Sequence, residues 1–464
     1  MWNRFWNWSM ASRIPKEPTL FVLGATGTGK SSLAVDLAKR FNGEIINSDA
    51  MQMYAGLPII TNKITYEEQQ GIPHHLLGNV QLDEEPWRIG VFQREAKNIM
   101  RQIRARGRVP IVVGGTHYYI QSLLFRDSII GEREADDSDH KLGQESIDEF
   151  PILNGPSERI LEKLKEVDPL MAERWHPNDT RKIMRSLKIF LETGERASDL
   201  YARQQEYRDK NCQDSSKIDF FGENISPEST LLFWIYAEPE VLKKRLDDRV
   251  IKMVETGLLD EVKSIDQYLE KQLSNGIKID ITRGIWASIG WKEFESYRLA
   301  LKTGTDVENA LNFSIQKTQI ATRQYAKRQL RWIRLKLRPA LAWDHGWSRR
   351  FYLLNGTNIS KFKEDVTDIA IKITADFLAN KELPLPQEIS STAKIVLSTD
   401  DKKPNVWFRQ TCDTCLITSM NEIEWDSHLR SRRHRALVKK RLKKMERRGS
   451  RDLDLSNPST SDVP

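Results

Sequence analysis

Gly24-Ala25-Thr26-Gly27-Thr28-Gly29-Lys30-Ser31 matches the pattern G-x-x-x-x-G-K-[ST]. Its neighbours supply the context that gives the match meaning. Thr19–Leu23 (TLFVL) lies between Pro18 and Gly24, and so short an apolar run predicts a buried strand. Lys30–Phe41 spaces Leu33, Ala34, Leu37, Ala38 and Phe41 as a helix does. A glycine-rich turn between strand and helix lets backbone N–H groups wrap phosphate oxygens, and the helix N-terminus adds partial positive charge. Lys30 would neutralise a phosphate, and the Ser31 hydroxyl would ligate Mg²⁺. The motif implies a di- or triphosphate ligand. It selects neither the ligand nor the chemistry.

The alternation continues downstream. Glu44–Ile46 begins a second strand, Phe92–Arg106 reads as a helix stopped by Gly107, Val109–Val113 is a third strand closed by Gly114-Gly115, and His117–Phe125 is helical. Strands alternating with helices predict an α/β fold, a P-loop NTPase-like parallel sheet core with helices on both faces. At Arg126 the pattern breaks. Ile130–Phe150 is acidic and reads as a loop, Ser157–Arg174 and Pro177–Thr193 read as two helices, and Leu200–Ser229 is irregular. Leu231–Ala237 (LLFWIYA) resumes the sheet, followed by helices at Pro239–Thr256, Leu259–Leu273, Trp291–Thr303, Asp306–Leu337 and Ser360–Asn380. The resulting division is a tail (1–18), the first part of the core (19–125), a helical insertion (126–228), the second part of the core with C-terminal helices (229–382), a polar linker (383–404), a finger module with a basic helix (405–450) and a disordered tail (451–464).

With 464 residues, 39% hydrophobic and 30% charged, the chain has enough apolar material for a real core, which excludes wholesale disorder. Three cysteines exclude a disulfide scaffold and point to a reducing compartment. No apolar run is long enough to predict a transmembrane helix, so no membrane partner is expected. Trp2, Phe5 and Trp6 with Met10 could line one helical face among Arg4, Arg13 and Lys16, a stretch with no acid. Such a stretch suits mitochondrial targeting as well as it suits a plain tail. A chain begun at Met10 would lose the aromatic stretch and stay in the cytoplasm.

Cys412-x₂-Cys415-x₁₂-His428-x₅-His434 has the ligand types and spacing of a Cys₂His₂ zinc site. Trp425 and Leu429, one helical turn apart, would form its small apolar core. So short a segment needs Zn²⁺ to fold. Five residues between the histidines imply a distorted helix end. His428–Arg451 carries twelve Lys and Arg against Glu446 alone, a net +11. The whole chain is only +7, so the remaining residues sum to −4. The basic character therefore belongs to this module, which suits an RNA phosphate grip, a nuclear import signal or a solvated helix.

The second strand runs into Asn47-Ser48-Asp49-Ala50-Met51-Gln52-Met53-Tyr54. Ligands of open α/β sheets sit at the carboxyl ends of strands, so Asp49 is expected beside the phosphate loop. It could hold Mg²⁺, act as a general base, or simply cap a helix. The adjacent His74-His75 lack Cys or acid at ligand spacing and read as packing residues. Cys212, alone in a polar stretch, reads as a bystander.

These motifs, taken in order, resemble the tRNA dimethylallyltransferase (tRNA isopentenyltransferase) family from about Leu20 to Trp332. They are GATGTGKS (Gly24–Ser31), NSDAMQMY (Asn47–Tyr54), TNK (Thr61–Lys63), GIPHHLL (Gly71–Leu77), VPIVVGGTHYYIQSLLF (Val109–Phe125), HPNDTRKIMRSL (His176–Leu187), RLDDRVIKMVETGLLDEV (Arg245–Val262), IWASIGWKE (Ile285–Glu293) and TRQYAKRQLRWIR (Thr322–Arg334). One departure is Ala50, where the family usually has serine. Members with a finger are as a rule eukaryotic.

The resemblance implies that the loop grips dimethylallyl diphosphate and hydrolyses no ATP. The dimethylallyl group passes to N6 of adenosine 37 in the tRNA anticodon loop. Asp49 would be the base. Thr26, Lys30, Arg249 and Mg²⁺ on Ser31 would stabilise the departing diphosphate. Arg249 shares its helix with Lys243, Lys244 and Arg245, some of which must be plain surface residues. Gln52 and Thr116 would hold the flipped adenine, although Thr116 also suits a turn. Arg181, Lys182, Arg185, Arg323 and Lys327 would contact tRNA, with Tyr325 and Trp332 placed for stacking. The implied state is a monomer. Competing readings are transfer to free adenine nucleotides, a nucleic-acid-binding ATPase or kinase, and an RNA-binding protein with a dead core. The insertion and basic finger count against the first, the missing Walker-B aspartate after Val113 against the second, and intact Asp49, Lys30 and Arg249 against the third.

Overall fold

Six parallel strands, β1 (Thr19–Gly24), β2 (Gly43–Asn47), β3 (His74–His75), β4 (Val109–Val113), β5 (Thr230–Tyr236) and β6 (Phe351–Asn355), lie in the order β3-β2-β4-β1-β5-β6 and organise the larger part of the computed structural model. The structure describes residues 17–125, 150–175, 177, 179–211, 225–277, 279–342, 345–398 and 407–442. The expected N-terminal targeting stretch, the acidic loop up to residue 149, Cys212, the last linker residues (399–404), the basic helix beyond 442 and the tail (451–464) lie outside them. The described residues fall into two compact units, one within 17–125, 208–211 and 225–398, the other within 150–207 and 407–442.

In the first unit, β1 (Thr19–Gly24) leads through the phosphate loop into α1 (Lys30–Arg40). Then come β2 (Gly43–Asn47), the short β3 (His74–His75), α2 (Ile89–Ala105), β4 (Val109–Val113) and α3 (His117–Leu124). β1 pairs in parallel with both β4 (Phe21 opposite Val112) and β5 (Phe21 opposite Leu232). The chain leaves β1 to opposite sides of the sheet, which opens a crevice at the carboxyl ends of the central strands. Strand residues alternate between two apolar layers. Leu20, Val22, Ile111 and Phe233 face α1, while Phe21, Leu23, Val112 and Trp234 face α2 and α3. Both faces are covered, so the strands read as unbroken hydrophobic runs.

The second unit holds α4 (Ser157–Val167), α5 (Pro169–Arg174), α6 (Thr180–Thr193) and α7 (Ala197–Asn211) as far as Tyr207. Ser157–Arg174 is thus two helices rather than the expected one. Pro169 has no N–H to continue a helix, and buried Asp168 accepts from Met171 N–H at 3.2 Å and Ser198 N–H at 2.9 Å. Likewise, Leu200–Ser229 is not irregular throughout, because α7 runs to Asn211.

The first unit continues with β5 (Thr230–Tyr236), α8 (Pro239–Glu255), α9 (Leu258–Ser274) and α10 (Val307–Trp332), which runs into a π-helical turn at Ile333–Leu337. A stripe of small residues on α10, Ser314, Thr318, Thr322 and Ala326, is buried, and α10 packs closely on α8. Each of the three hydroxyls donates to the carbonyl four residues earlier at 2.8 Å, so none is left unsatisfied.

Three features of this unit depart from expectation. The short β3 is an unexpected strand, with His74 opposite Ile45 of β2. A sixth strand, β6 (Phe351–Asn355), pairs with β5. Residues 383–398, expected as linker, instead pack on β6 through α12 (Ser391–Ser398), with Ala393 and Val396 buried. Before it, α11 (Ile369–Leu378) covers the α1 face.

Beyond residue 406 a β7–β8 hairpin (Trp407–Thr411, Thr418–Asn421) precedes α13 (Glu422–Leu429). Within the second unit, β8 lies against α5.

Candidate active site

The phosphate loop is braced from inside and outside. Gly24 has φ 150°, and a Cβ there would lie 2.6 Å from the Ile235 carbonyl oxygen. Only glycine therefore lets β1 turn beside β5. Thr28 Oγ1 and Lys30 Nζ each donate to the Ala25 carbonyl at 2.8 Å. Arg245 on α8 donates to Gly27 O at 3.1 Å, Gly356 O at 3.2 Å and Thr357 O at 3.0 Å, tying the loop to the turn after β6. Arg249, one helical turn on, donates to Thr26 Oγ1 at 2.9 Å. Lys243 and Lys244 are exposed, and Lys243 reaches only Glu240. α1 starts at Gly29 with no side-chain cap, so its first N–H groups are available to an anion.

Asp49 faces this loop from the end of β2. Its carboxylate accepts from Met51 N–H at 3.1 Å and also from Gln52 N–H, while Asn47 Oδ1 holds the Asp49 N–H at 3.0 Å. It heads a turn rather than a helix. Burial raises its pKa, and Lys30 and Arg249 offset part of the rise. Burial likewise lowers Lys30 to about 8, opposed by Asp49, and Arg249 to about 10. His117 lies under the loop and bonds the Gly24 backbone. Burial pushes it down to about 3, so it is neutral at physiological pH. A carboxylate, a lysine and an arginine thus share one poorly solvated site, each perturbing the others.

Thr116 meets the Asp49 turn. Its Oγ1 accepts from Ala50 N–H at 3.0 Å, and its N–H donates to Ser48 O at 3.2 Å. The backbone of residue 50 makes this contact, so alanine in place of serine leaves it intact. Gln52 Nε2 donates to Asn62 O at 3.1 Å on the same rim. The turn beyond is clamped by Glu261 of α9, which accepts from Ile59 N–H at 2.8 Å and Ile60 N–H at 2.7 Å.

Other expected residues sit elsewhere. Tyr325 sits beside Thr116 and Gln329, close to Asp49. Trp332 donates to Gln121 at 3.1 Å and packs edge-on to Tyr118. Both aromatics have partners within the protein. Arg323 pairs with Asp247 of α8, and Lys327 is exposed. In the second unit, Arg181, Lys182 and Arg185 lie on α6. Lys182 pairs with Asp179 at 2.6 Å and sits 4.9 Å above the Trp175 ring. His74 and His75 make hydrogen bonds: His75 Nε2 lies 2.6 Å from buried Glu44, and His74 Nδ1 lies 2.8 Å from Ile72 O. The sequence reading missed Gln329, Glu261 and the Arg245 latch. For Gln329 the sequence offers no local signal, because its partners Thr26 and Gly115 lie far away in the chain.

The ligand atoms of Cys412, Cys415, His428 and His434 all lie within 4.8 Å of one another. Two thiols and two imidazoles at that spacing fit tetrahedral Zn²⁺. α13 breaks at Arg430–Ser431, between the two histidines, where the long spacing predicts distortion. Trp425 is half-buried and packs near His428, but Leu429 is exposed and does not contribute to a core.

A parallel sheet with a phosphate loop braced by two arginines, and a carboxylate at the second strand instead of a Walker-B aspartate after β4, defines a P-loop-fold enzyme adapted to group transfer. The IPP transferase family model matches residues 52–336, and the chain belongs to that family. It is 35% identical to the tRNA dimethylallyltransferase of Schizosaccharomyces pombe, over 93% of this chain and 97% of that one. Against the Homo sapiens tRNA dimethylallyltransferase the identity is 33%, over 91% and 86%. A solved structure of a eukaryotic dimethylallyltransferase acting on tRNA superposes with a TM-score of 0.70 at 34% identity, covering 94% of this chain and all of that one.

Proposed function

We propose that the protein transfers the dimethylallyl group of dimethylallyl diphosphate to N6 of adenosine 37 in the tRNA anticodon loop, acting as a monomer. The observation that carries this reading is the opposition of Asp49 to the Thr26–Lys30–Arg249 cluster, which joins a base to a diphosphate grip. In the reaction, the C–O bond to diphosphate breaks and an N6–C bond forms, with the N6 proton passing to Asp49. N6 is a weak nucleophile because its lone pair is shared with the ring, so a hydrogen-bonded base aids attack. Lys30, the Thr26 hydroxyl and Arg249 take up the charge gathering on the leaving diphosphate. Ser31, half-buried in the first turn of α1, offers a hydroxyl that, with phosphate oxygens, suits Mg²⁺. That ion supplies further charge neutralisation.

Gln52 and Thr116 border the adenine. Arg181, Lys182 and Arg185 serve the anticodon stem, and Zn²⁺ on Cys412, Cys415, His428 and His434 folds the finger that brings the basic helix. Among the described residues no helix is long and apolar enough to cross a membrane. Forms begun at Met1 enter mitochondria, and forms begun at Met10 stay in the cytoplasm, with the basic helix giving nuclear access. Fluorescent fusions from each start test this, and identical distributions would sink it. The function itself is tested with labelled dimethylallyl diphosphate, Mg²⁺ and unmodified tRNA, with ATP turnover measured in parallel. ATP hydrolysis without label in tRNA overturns the proposal.

A further inference from the structure

Gln329 is buried on α10, one turn beyond the small-residue stripe that lets this helix approach the phosphate loop. Its Oε1 accepts from the Thr26 N–H at 2.8 Å, and its Nε2 donates to the Gly115 carbonyl at 3.0 Å. One amide thus bonds both the loop that grips the diphosphate and the turn that presents Thr116. Two further observations show that the surroundings are shaped around it. A Cβ on Gly115 would overlap the Gln329 amide nitrogen, so glycine there clears its space. Tyr325, one turn earlier on the same helix, sits beside both Gln329 and Thr116.

The contact also changes the phosphate loop itself. In such a loop the backbone N–H groups are its means of holding phosphate. Here the Thr26 N–H is committed to a side chain, and the Thr26 hydroxyl is bonded to Arg249. Thr26 is therefore fixed at both ends, with its rotamer set before any ligand arrives. Holding reacting groups in place ahead of reaction lowers the barrier without strengthening substrate binding.

We infer that Gln329 is a positioning residue for transfer, setting the separation between the diphosphate grip at Thr26 and the acceptor side at Asp49 and Thr116. This inference rests on the proposed transfer reaction. It predicts a loss in kcat rather than in KM, because both substrates still bind while their reacting atoms are misplaced.

Two variants test it in full-length protein with unmodified tRNA and dimethylallyl diphosphate. Gln329→Leu removes both bonds at nearly constant volume. Gln329→Glu preserves both while neutral, since a carboxylic acid offers one acceptor and one O–H donor. Once ionised it has no donor and repels the Gly115 carbonyl. Asp49, Lys30, Arg249, Tyr325, His117 and Tyr119 are titratable groups around the site, and the wild type carries all of them, so the variant-to-wild-type ratio isolates residue 329. Single-turnover kcat of Gln329→Leu is expected to fall about 10²-fold at every pH, with each KM within about threefold. For Gln329→Glu the ratio to wild type rises toward one as the pH is lowered and falls as it is raised. A kcat within twofold of wild type for Gln329→Leu, or a pH-independent Gln329→Glu ratio, overturns the inference. Loss of melting temperature with kcat retained in the folded fraction also overturns it, because Gln329 is then only structural. If the wild type transfers no label, the reaction assignment fails instead. The two failures are thereby distinguished.

Discussion

The Arg249 guanidinium donates to the Thr26 hydroxyl across 2.9 Å, joining helix α8 to the phosphate loop. Burial lowers Arg249 to about 10, yet it remains charged at neutral pH and has Asp49 as counter-charge. A cation held so close to the loop and kept from water is worth more to a developing anion than one in solvent. Arg249→Ala should lower kcat about 10²–10³-fold. Arg249→Lys should recover only a small part, because an ammonium lacks the planar fork. Thr26→Val should cost less, and the double variant should lose less than the two singles combined. Single-turnover label transfer measures all four variants. Additive losses would show that the pair does not act as a unit.

Lys30 gives the site a pH signature. Burial brings it down to about 8 from the usual 10.5, so part of the free enzyme loses this charge in mildly alkaline buffer. A bound diphosphate supplies negative charge beside it and raises its pKa again. Binding should therefore take up protons above about pH 8, and affinity should weaken as the pH rises through that value. Below pH 7 Lys30 is charged in both states and contributes no uptake. Titration calorimetry of inorganic pyrophosphate in buffers of different ionisation enthalpy reads this directly. No proton uptake at pH 8.5 would contradict the assignment of Lys30 to the anion.

Asp49→Asn should separate chemistry from folding. An asparagine oxygen still accepts the Met51 N–H, so the turn is retained. The base is lost, and transfer should fall about 10²–10⁴-fold while tRNA affinity changes less than about threefold. Because burial raises the Asp49 pKa, the acid limb of the wild-type pH profile should lie above the ordinary aspartate range. A limb at or below that range would remove Asp49 as the base.

The loop and Asp49 were legible in the sequence because backbone geometry dictates them locally. Gly24 must clear the Ile235 carbonyl, and a residue two past the end of β2 must lie at the carboxyl edge of the sheet. β6 was missed because FYLLN is only five residues long, and a short apolar run does not separate strand from buried helix. α7 (ASDLYARQQEYRDKN) has too little apolar periodicity to read. The linker reading of 383–398 failed because Ala393 and Val396 are two small contacts whose worth depends on the unrecognised β6. Gln329 was illegible for the same reason. A buried amide is specified by its partners, and these lie 214 and 303 residues away in the chain.

Glu44 anchors the opposite end of the sheet. Arg106 donates to it at 2.9 and 2.7 Å, Arg108 at 3.1 Å, and His75 Nε2 lies 2.6 Å away. The Arg106 bonds dominate in holding its pKa down to about 2 from 4.5. A depressed acid pKa stabilises the fold above the unfolded value, and the contribution disappears as the pH falls through the folded value. Glu44→Gln should therefore melt below wild type at pH 7, with the gap closing between about pH 4.5 and 2. Both arginines are partly solvated, so the gap should be modest. A constant gap down to pH 2 would mean that packing, not charge, accounts for the loss.

Metal removal should unfold the finger and spare the sheet. Within 407–442 the structure offers a two-stranded hairpin and short helices, too little apolar surface to fold without help. The four ligands must draw together two thiolates and two imidazoles, an arrangement that metal binding stabilises. Treatment with a strong chelator, or Cys412→Ser, should abolish amide protection in 407–442 while the strands β1, β4 and β5 keep theirs. The affinity for tRNA should fall, and its salt dependence should become shallower, because the basic helix loses its fixed phosphate contacts. Transfer at saturating tRNA should stay within about threefold of wild type, since Asp49, Lys30 and Arg249 all lie in the other unit. Hydrogen exchange and filter binding at several salt concentrations check both halves. An unchanged salt slope after the finger unfolds would assign it a role other than gripping RNA.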